Sequence, residues 1–94
     1  MGLDSYLYVS DHPISHVFEI IKSNEICYWR KNYDLNSEVS RISEAIISDS
    51  ILLVNLTAKD MDKLQVYFDG QEQALSKAQA ALKNGRFLYY YGSW

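Results

Sequence analysis

The stretch Ile51-Leu52-Leu53-Val54-Asn55-Leu56 does most to limit what this chain can fold into. It is apolar apart from Asn55, and it is short enough for a strand. Such a run suggests burial on both faces, or nearly so. Thr57-Ala58-Lys59-Asp60 follows at once and resembles a capping box with Asp in place of Glu. A helix is therefore expected over Ala58–Asp69. Asp60 and Asp62 stand near its start, where negative charge suits the helix dipole. Met61, Leu64, Tyr67 and Phe68 form its apolar face. A strand that runs into an amphipathic helix needs further strands beside it and a layer over it.

Two other segments supply strands. In Leu3–Ser10, Leu3, Ser5, Leu7 and Val9 point one way and read as core-facing. Asp4, Tyr6, Tyr8 and Ser10 point the other way. Asp11-His12-Pro13 ends this strand, because proline cannot donate to a ladder. Arg86–Tyr91 is the last strand, ended by Gly92. Before it, Gln71–Asn84 is rich in helix formers, with Ala74, Leu75, Ala78, Ala81 and Leu82 on one side. Gly70 interrupts the helices on either side of it, and Gly85 suits the left-handed position past the second.

The middle of the chain changes character at Ile26-Cys27-Tyr28-Trp29-Arg30-Lys31. Tyr28, Asn32, Leu35, Val39, Ile42 and Ile46 recur at steps of four and three, which lines one face of a helix near Tyr28–Ser48. A break at Asp34–Ser37 is allowed, since Asn36 and Ser37 also suit a cap. Glu38 and Arg41 are three apart and support a helix weakly. Upstream, Ile14–Lys22 fits either a helix or a strand. A strand, a turn over Lys22–Glu25 and a short strand at Ile26–Tyr28 is the preferred reading. The expected fold is α+β: one domain, 1–94, with about three to five strands packed against two or three helices.

Ninety-four residues make a single domain. Such a chain buries roughly 60–65% of its unfolded surface, so stability should be modest. The net charge of −3 does not favour a grip on nucleic-acid phosphates. The single cysteine, Cys27, excludes an intramolecular disulfide and points to a reducing cytoplasm. No apolar run is long enough to span a bilayer, and no basic-then-apolar signal pattern opens the chain. Met1-Gly2 is not followed by the Ser or Thr that myristoylation wants at the sixth position, which is Tyr6.

Catalytic signatures are sparse. His12 and His16 are four apart, a metal-binding spacing on a helix. Pro13 between them and the missing third ligand argue against a metal, and no cofactor is expected. Cys27 reads as a buried, inert thiol. There is no phosphate loop, G-x-S-x-G or kinase signature. The outlier is tyrosine, at eight residues. The tail Tyr89-Tyr90-Tyr91-Gly92-Ser93-Trp94 could stack bases, but without a basic groove a protein-contact role ranks higher.

Several motifs carry a resemblance. Met1-Gly2-Leu3-Asp4-Ser5-Tyr6-Leu7 resembles the "MGLDMYL" start of small uncharacterised proteins of tailed bacteriophages. Glu25-Ile26-Cys27-Tyr28-Trp29-Arg30-Lys31-Asn32 resembles their later YWRK motif. Leu56–Leu64 is similar to their strand-to-helix entry, and the aromatic-Gly-Ser ending is similar to theirs. Ser5 departs from the usual methionine, Asn32-Tyr33 replaces an Ala-containing helix start, and the chain stops at Trp94 where many members continue. The resemblance implies a phage origin and the host cytoplasm, and carries no catalytic residue.

Two classes of function follow. The first is a binding protein that inhibits or redirects a host bacterial factor, such as a defence or toxin–antitoxin component, by protein–protein contact. Its expected surface is Trp29, Arg30 and Lys31, extended by Trp94. The second is a small-ligand binder or enzyme with a pocket around Asp4, Tyr28, Arg30 and Lys31. A structural homo-oligomer overlaps the first. Asp4 is also expected to pair with Arg30 or Lys31, fixing the first strand to the helix start. On a helix, Tyr28 would face the core and Arg30 would face away.

Overall fold

Burial of β4 (Ile51–Leu56) sets the architecture: Leu52, Leu53, Val54 and Leu56 are all buried, and only Asn55 is exposed. The computed structural model describes residues 2–14, 24–42, 45–48 and 51–94. In chain order the elements are β1 (Asp4–Ser10), β2 (Asn24–Arg30), α1 (Tyr33–Ile42), β3 (Ala45–Ser48), β4, α2 (Ala58–Leu64), α3 (Glu72–Lys83) and β5 (Phe87–Ser93). A single 3-10 turn, Gln65–Phe68, continues α2. The strands form one antiparallel sheet in the order β2-β1-β5-β4-β3. The fold is α+β, as expected. Most of the expected Ile14–Lys22 element lies outside the described residues.

The helices cover one face of the sheet. Leu7, Val9, Cys27, Trp29, Leu52, Val54, Leu56, Leu88 and Tyr90 meet Leu35 and Val39 of α1, Met61 and Leu64 of α2, and the alanines of α3. Ala74, Ala78 and Ala81 are buried, and their small side chains let α3 lie close to the sheet. The capping box at α2 is complete. Thr57 Oγ1 accepts from the Asp60 N–H at 3.3 Å, and Asp60 Oδ2 accepts from the Thr57 N–H at 2.9 Å. Gly70 and Gly85 both have positive φ, at 80° and 77°, and each begins a connection that a side chain would strain.

The central segment departs from the helical expectation. The extended chain runs on to Arg30, and Lys31 turns it with φ 57°. Asn32 then caps α1, its Oδ1 accepting from the Leu35 N–H at 3.1 Å. Ile46 belongs to β3, so one continuous helix over Tyr28–Ser48 is corrected to strand, helix and strand. Within α1 the spacing of four held for Leu35 and Val39, which are both buried. At Tyr28 it coincided with a period-two pattern, and pairing with β1 decided between the two. Asn36 starts no second helix. It lies within α1 and faces Tyr90. The second helix also stops earlier than Asp69, at Leu64, before the 3-10 turn. β5 runs through Gly92 to Ser93.

A buried polar cluster ties α1 to the sheet. The Tyr90 hydroxyl donates to Asn36 Oδ1 at 2.8 Å and lies 2.8 Å from Ser5 Oγ, whose proton it accepts. Gly92 sits beneath them. A Cβ there would collide with Asn36 Oδ1 and stand 3.2 Å from the Tyr90 ring. Burial pushes the Tyr90 hydroxyl up to about 12.

Candidate functional site

β1 places Tyr6 and Tyr8 on the face away from the helices, because Leu7 and Val9 take the core side. Strand order then supplies their neighbours. Tyr6 stands opposite Tyr28 on β2 and Tyr91 on β5, and Tyr91 stands opposite Leu53 on β4. Tyr8 stands opposite Glu25 and Tyr89. Ring centroids are 5.1 Å apart for Tyr6–Tyr28, 5.9 Å for Tyr6–Tyr8, 6.1 Å for Tyr6–Tyr91 and 6.4 Å for Tyr8–Tyr91. These are spacings of mutually stabilising aromatic pairs. Tyr28 is exposed, and Tyr6, Tyr8 and Tyr91 are half-buried. At the far side of the patch Ile14 covers Leu53 and Tyr89, and its N–H donates to the Tyr89 hydroxyl at 2.8 Å.

Charge surrounds the rings. The Tyr28 hydroxyl donates to Asp4 Oδ1 at 2.6 Å, and this bond is the main reason its proton is held more tightly than usual. Tyr6 is raised too, first by partial desolvation and then by the Asp4 and Glu25 carboxylates. Tyr8 is raised by desolvation and then by Glu25. Arg30 stands opposite Asp4 on the ladder. Electron-rich ring faces beside two carboxylates and one guanidinium can engage cationic, aromatic and amide groups of another protein.

The residues singled out from sequence divide between two faces. Trp29 is 7% exposed and lies in the core, its indole N–H donating to the Tyr67 carbonyl at 2.9 Å and its ring packing edge-on to Phe68 at 5.3 Å. It therefore leaves the expected contact edge. Tyr28, expected in the core, is 41% exposed and shares its face with Arg30. Both corrections have one cause: β2 alternates sides at every residue, whereas a helix would turn about 100° at each. Lys31 lies at the turn, its backbone N–H donating to the Leu3 carbonyl at 2.6 Å. Trp94 is 39% exposed and follows Ser93, which pairs with Asp4, so it ends at the same margin of the sheet as Arg30. Asp4 takes Tyr28 as its partner. The ion pairs within 4 Å among the described residues are Arg41–Glu38 and Arg86–Asp11, and neither includes Asp4.

Asp4, Tyr28 and Arg30 do come together, on an open strand surface. Grooves of about 420 Å³ (Ile26, Gln71, Ala74 and Lys77) and about 480 Å³ (Gln65, Val66, Asp69 and Leu75) lie elsewhere, along the helices. Cys27 is buried beside the first groove. Its thiol donates to Gln71 Oε1 at 2.9 Å, and desolvation pushes it up to about 11, far from a reactive thiolate. His12 is exposed, and His16 lies outside the described residues. No helix among the described residues is long and apolar enough to cross a membrane. Comparison of the chain with protein-family models, with curated proteins and with solved structures finds no match.

The tyrosine surplus was visible in the sequence, and so was the shared side of Tyr6 and Tyr8. Their meeting with Tyr28 and Tyr91 was not, because it depends on β1 lying between β2 and β5.

Proposed function

We propose that this protein acts by contact with another protein, through the face formed by Tyr6, Tyr8, Tyr28 and Tyr91 with Asp4, Glu25 and Arg30 at its margins. The observation that carries this reading is the four-ring cluster on the sheet face opposite the helices. Tyrosine and arginine are enriched among residues that dominate interface energies, since a rigid ring covers much area and loses little entropy. The rings are held by the strands beneath them, so little further ordering is needed on binding. The resemblance of Met1–Leu7 and Glu25–Asn32 to phage proteins supports a bacterial host factor as partner, inhibited or redirected in the host cytoplasm. Trp94 extends the same margin.

The test is retention of partners from bacterial lysate by the parent chain and by Tyr6→Ala/Tyr28→Ala, followed by titration of each retained protein in purified form. The double variant should keep the parent's far-UV circular dichroism and lose binding. A folded variant that binds every partner as the parent does overturns the reading.

A further inference from the structure

The tyrosine face reaches the margin of the sheet at β2, and the outer side of that strand has no neighbour among the described residues. Its backbone polarity can be read from one bond. The Lys31 N–H donates to the Leu3 carbonyl, one step beyond the Asp4–Arg30 pair. Hydrogen-bonded pairs alternate along an antiparallel ladder. Ser5–Trp29 and Leu7–Cys27 therefore belong to the bonded class. Tyr28 and Arg30 direct their N–H and C=O groups outward, away from β1.

We infer that β2 pairs with β2 of a second copy of this chain, antiparallel and centred on Tyr28. Three features select this occupant and register. First, a two-fold axis normal to the sheet at Tyr28 sets each outward-directed Tyr28 backbone against its own copy, so the two residues exchange both hydrogen bonds. Arg30 then lies across from the bulged Glu25–Ile26 step of the second copy. Second, Glu25 is exposed on the tyrosine face, because the register shifts between Leu7 and Tyr8 and brings Glu25 opposite Tyr8. Arg30 lies on that same face and is exposed. The dyad brings each Arg30 beside the other copy's Glu25, a complementary pair made twice. A slip by one residue sets Tyr28 against an inward-facing side chain and turns the helices of the two copies to opposite faces. Third, the rings continue across the junction. Tyr91, Tyr6 and Tyr28 of one copy run into Tyr28, Tyr6 and Tyr91 of the other, and the helices of both copies stay on the opposite face. The aromatic surface assigned above to partner contact then becomes one strip across a ten-stranded sheet, and each copy completes the other's margin. The pairing rests on edge geometry and does not depend on the identity of any other partner.

Sedimentation equilibrium of the purified full chain tests this, with the expected mass twice the 10.9 kDa of one chain. Tyr28→Pro removes an outward N–H and no bond to β1, so it should give a folded single chain. Arg30→Glu should shift the equilibrium toward single chains, and Glu25→Lys combined with Arg30→Glu should restore the dimer. A parent chain that stays single into the millimolar range overturns the inference. So does a folded Tyr28→Pro protein that still dimerises. Where Tyr28→Pro fails to fold, an Arg30→Glu chain with the parent's dimer affinity overturns it instead. No lysate partner enters these measurements, so their failure leaves the contact reading of the tyrosine face standing.

Discussion

Tyr28 and Trp29 are adjacent in β2, yet one is 41% exposed and the other 7%. The difference is that of the two sheet faces. On the helix side the buried polar atoms are bonded within the protein: the Trp29 N–H to Tyr67, the Tyr90 hydroxyl to Asn36 and Ser5. Every fully buried side-chain polar atom among the described residues has a partner. On the other face the tyrosine rings touch one another, and the Tyr28 hydroxyl bond to Asp4 is made at the surface. The first arrangement supplies stability. The second keeps area and polar groups that another molecule can use.

The sharpest way to break this contrast is to truncate the two neighbours separately. Trp29→Ala empties a packed site and should cost about 3–5 kcal/mol in urea unfolding. Tyr28→Ala should cost about 1 kcal/mol or less, since it removes surface cross-strand packing. Equal losses would mean that the two faces carry the fold alike.

The buried polar cluster gives the next largest effect. Tyr90→Phe leaves the Asn36 oxygen without its donor and should cost about 1–3 kcal/mol. Gly92→Ala should cost a similar amount, about 1–3 kcal/mol, because the new Cβ must displace Asn36. Tyr91→Phe, on the other face, should leave the thermal midpoint nearly unchanged.

Alkaline titration tests the burial of the helix-side groups. Cys27 is raised from 9.0 to about 11 and Tyr90 from 10.0 to about 12. Between each pair of values the unfolded chain has released its proton and the folded chain has not. Stability is therefore fully present below pH 9, and falls as pH rises through the window ending near 12. Denaturation midpoints measured across this range should decline, and Cys27→Ala should remove the earlier part of the decline.

The smallest effect belongs to the surface bond. Asp4→Asn should cost about 0–1 kcal/mol of stability, as exposed charged contacts do. It should also lower the pH at which Tyr28 ionises, which tyrosine absorbance would follow. A larger loss would mean that Asp4 anchors β1 by itself.

What the sequence determined by itself was mostly local. The run Ile51–Leu56 is a strand because it is short and apolar. Thr57 and Asp60 begin a helix because their side chains reach each other's backbone N–H, and Gly85 ends one because its φ is positive. Alternation in Leu3–Ser10 separated the core side from the tyrosine side before any pairing was known. Only the tertiary structure decided the fate of Tyr28–Arg30. Its apolar spacing fits a helix and a strand equally, and the choice fell to the ladder with β1, whose partner residues lie more than twenty positions away. The same long-range pairing joined Tyr6 to Tyr28 and Tyr91, set Tyr90 against Asn36, and gave Asp4 to Tyr28 instead of Arg30. Caps and periodicities act through neighbours three or four residues apart. Strand order and register depend on which apolar faces can be buried together, and that is a property of the assembled core.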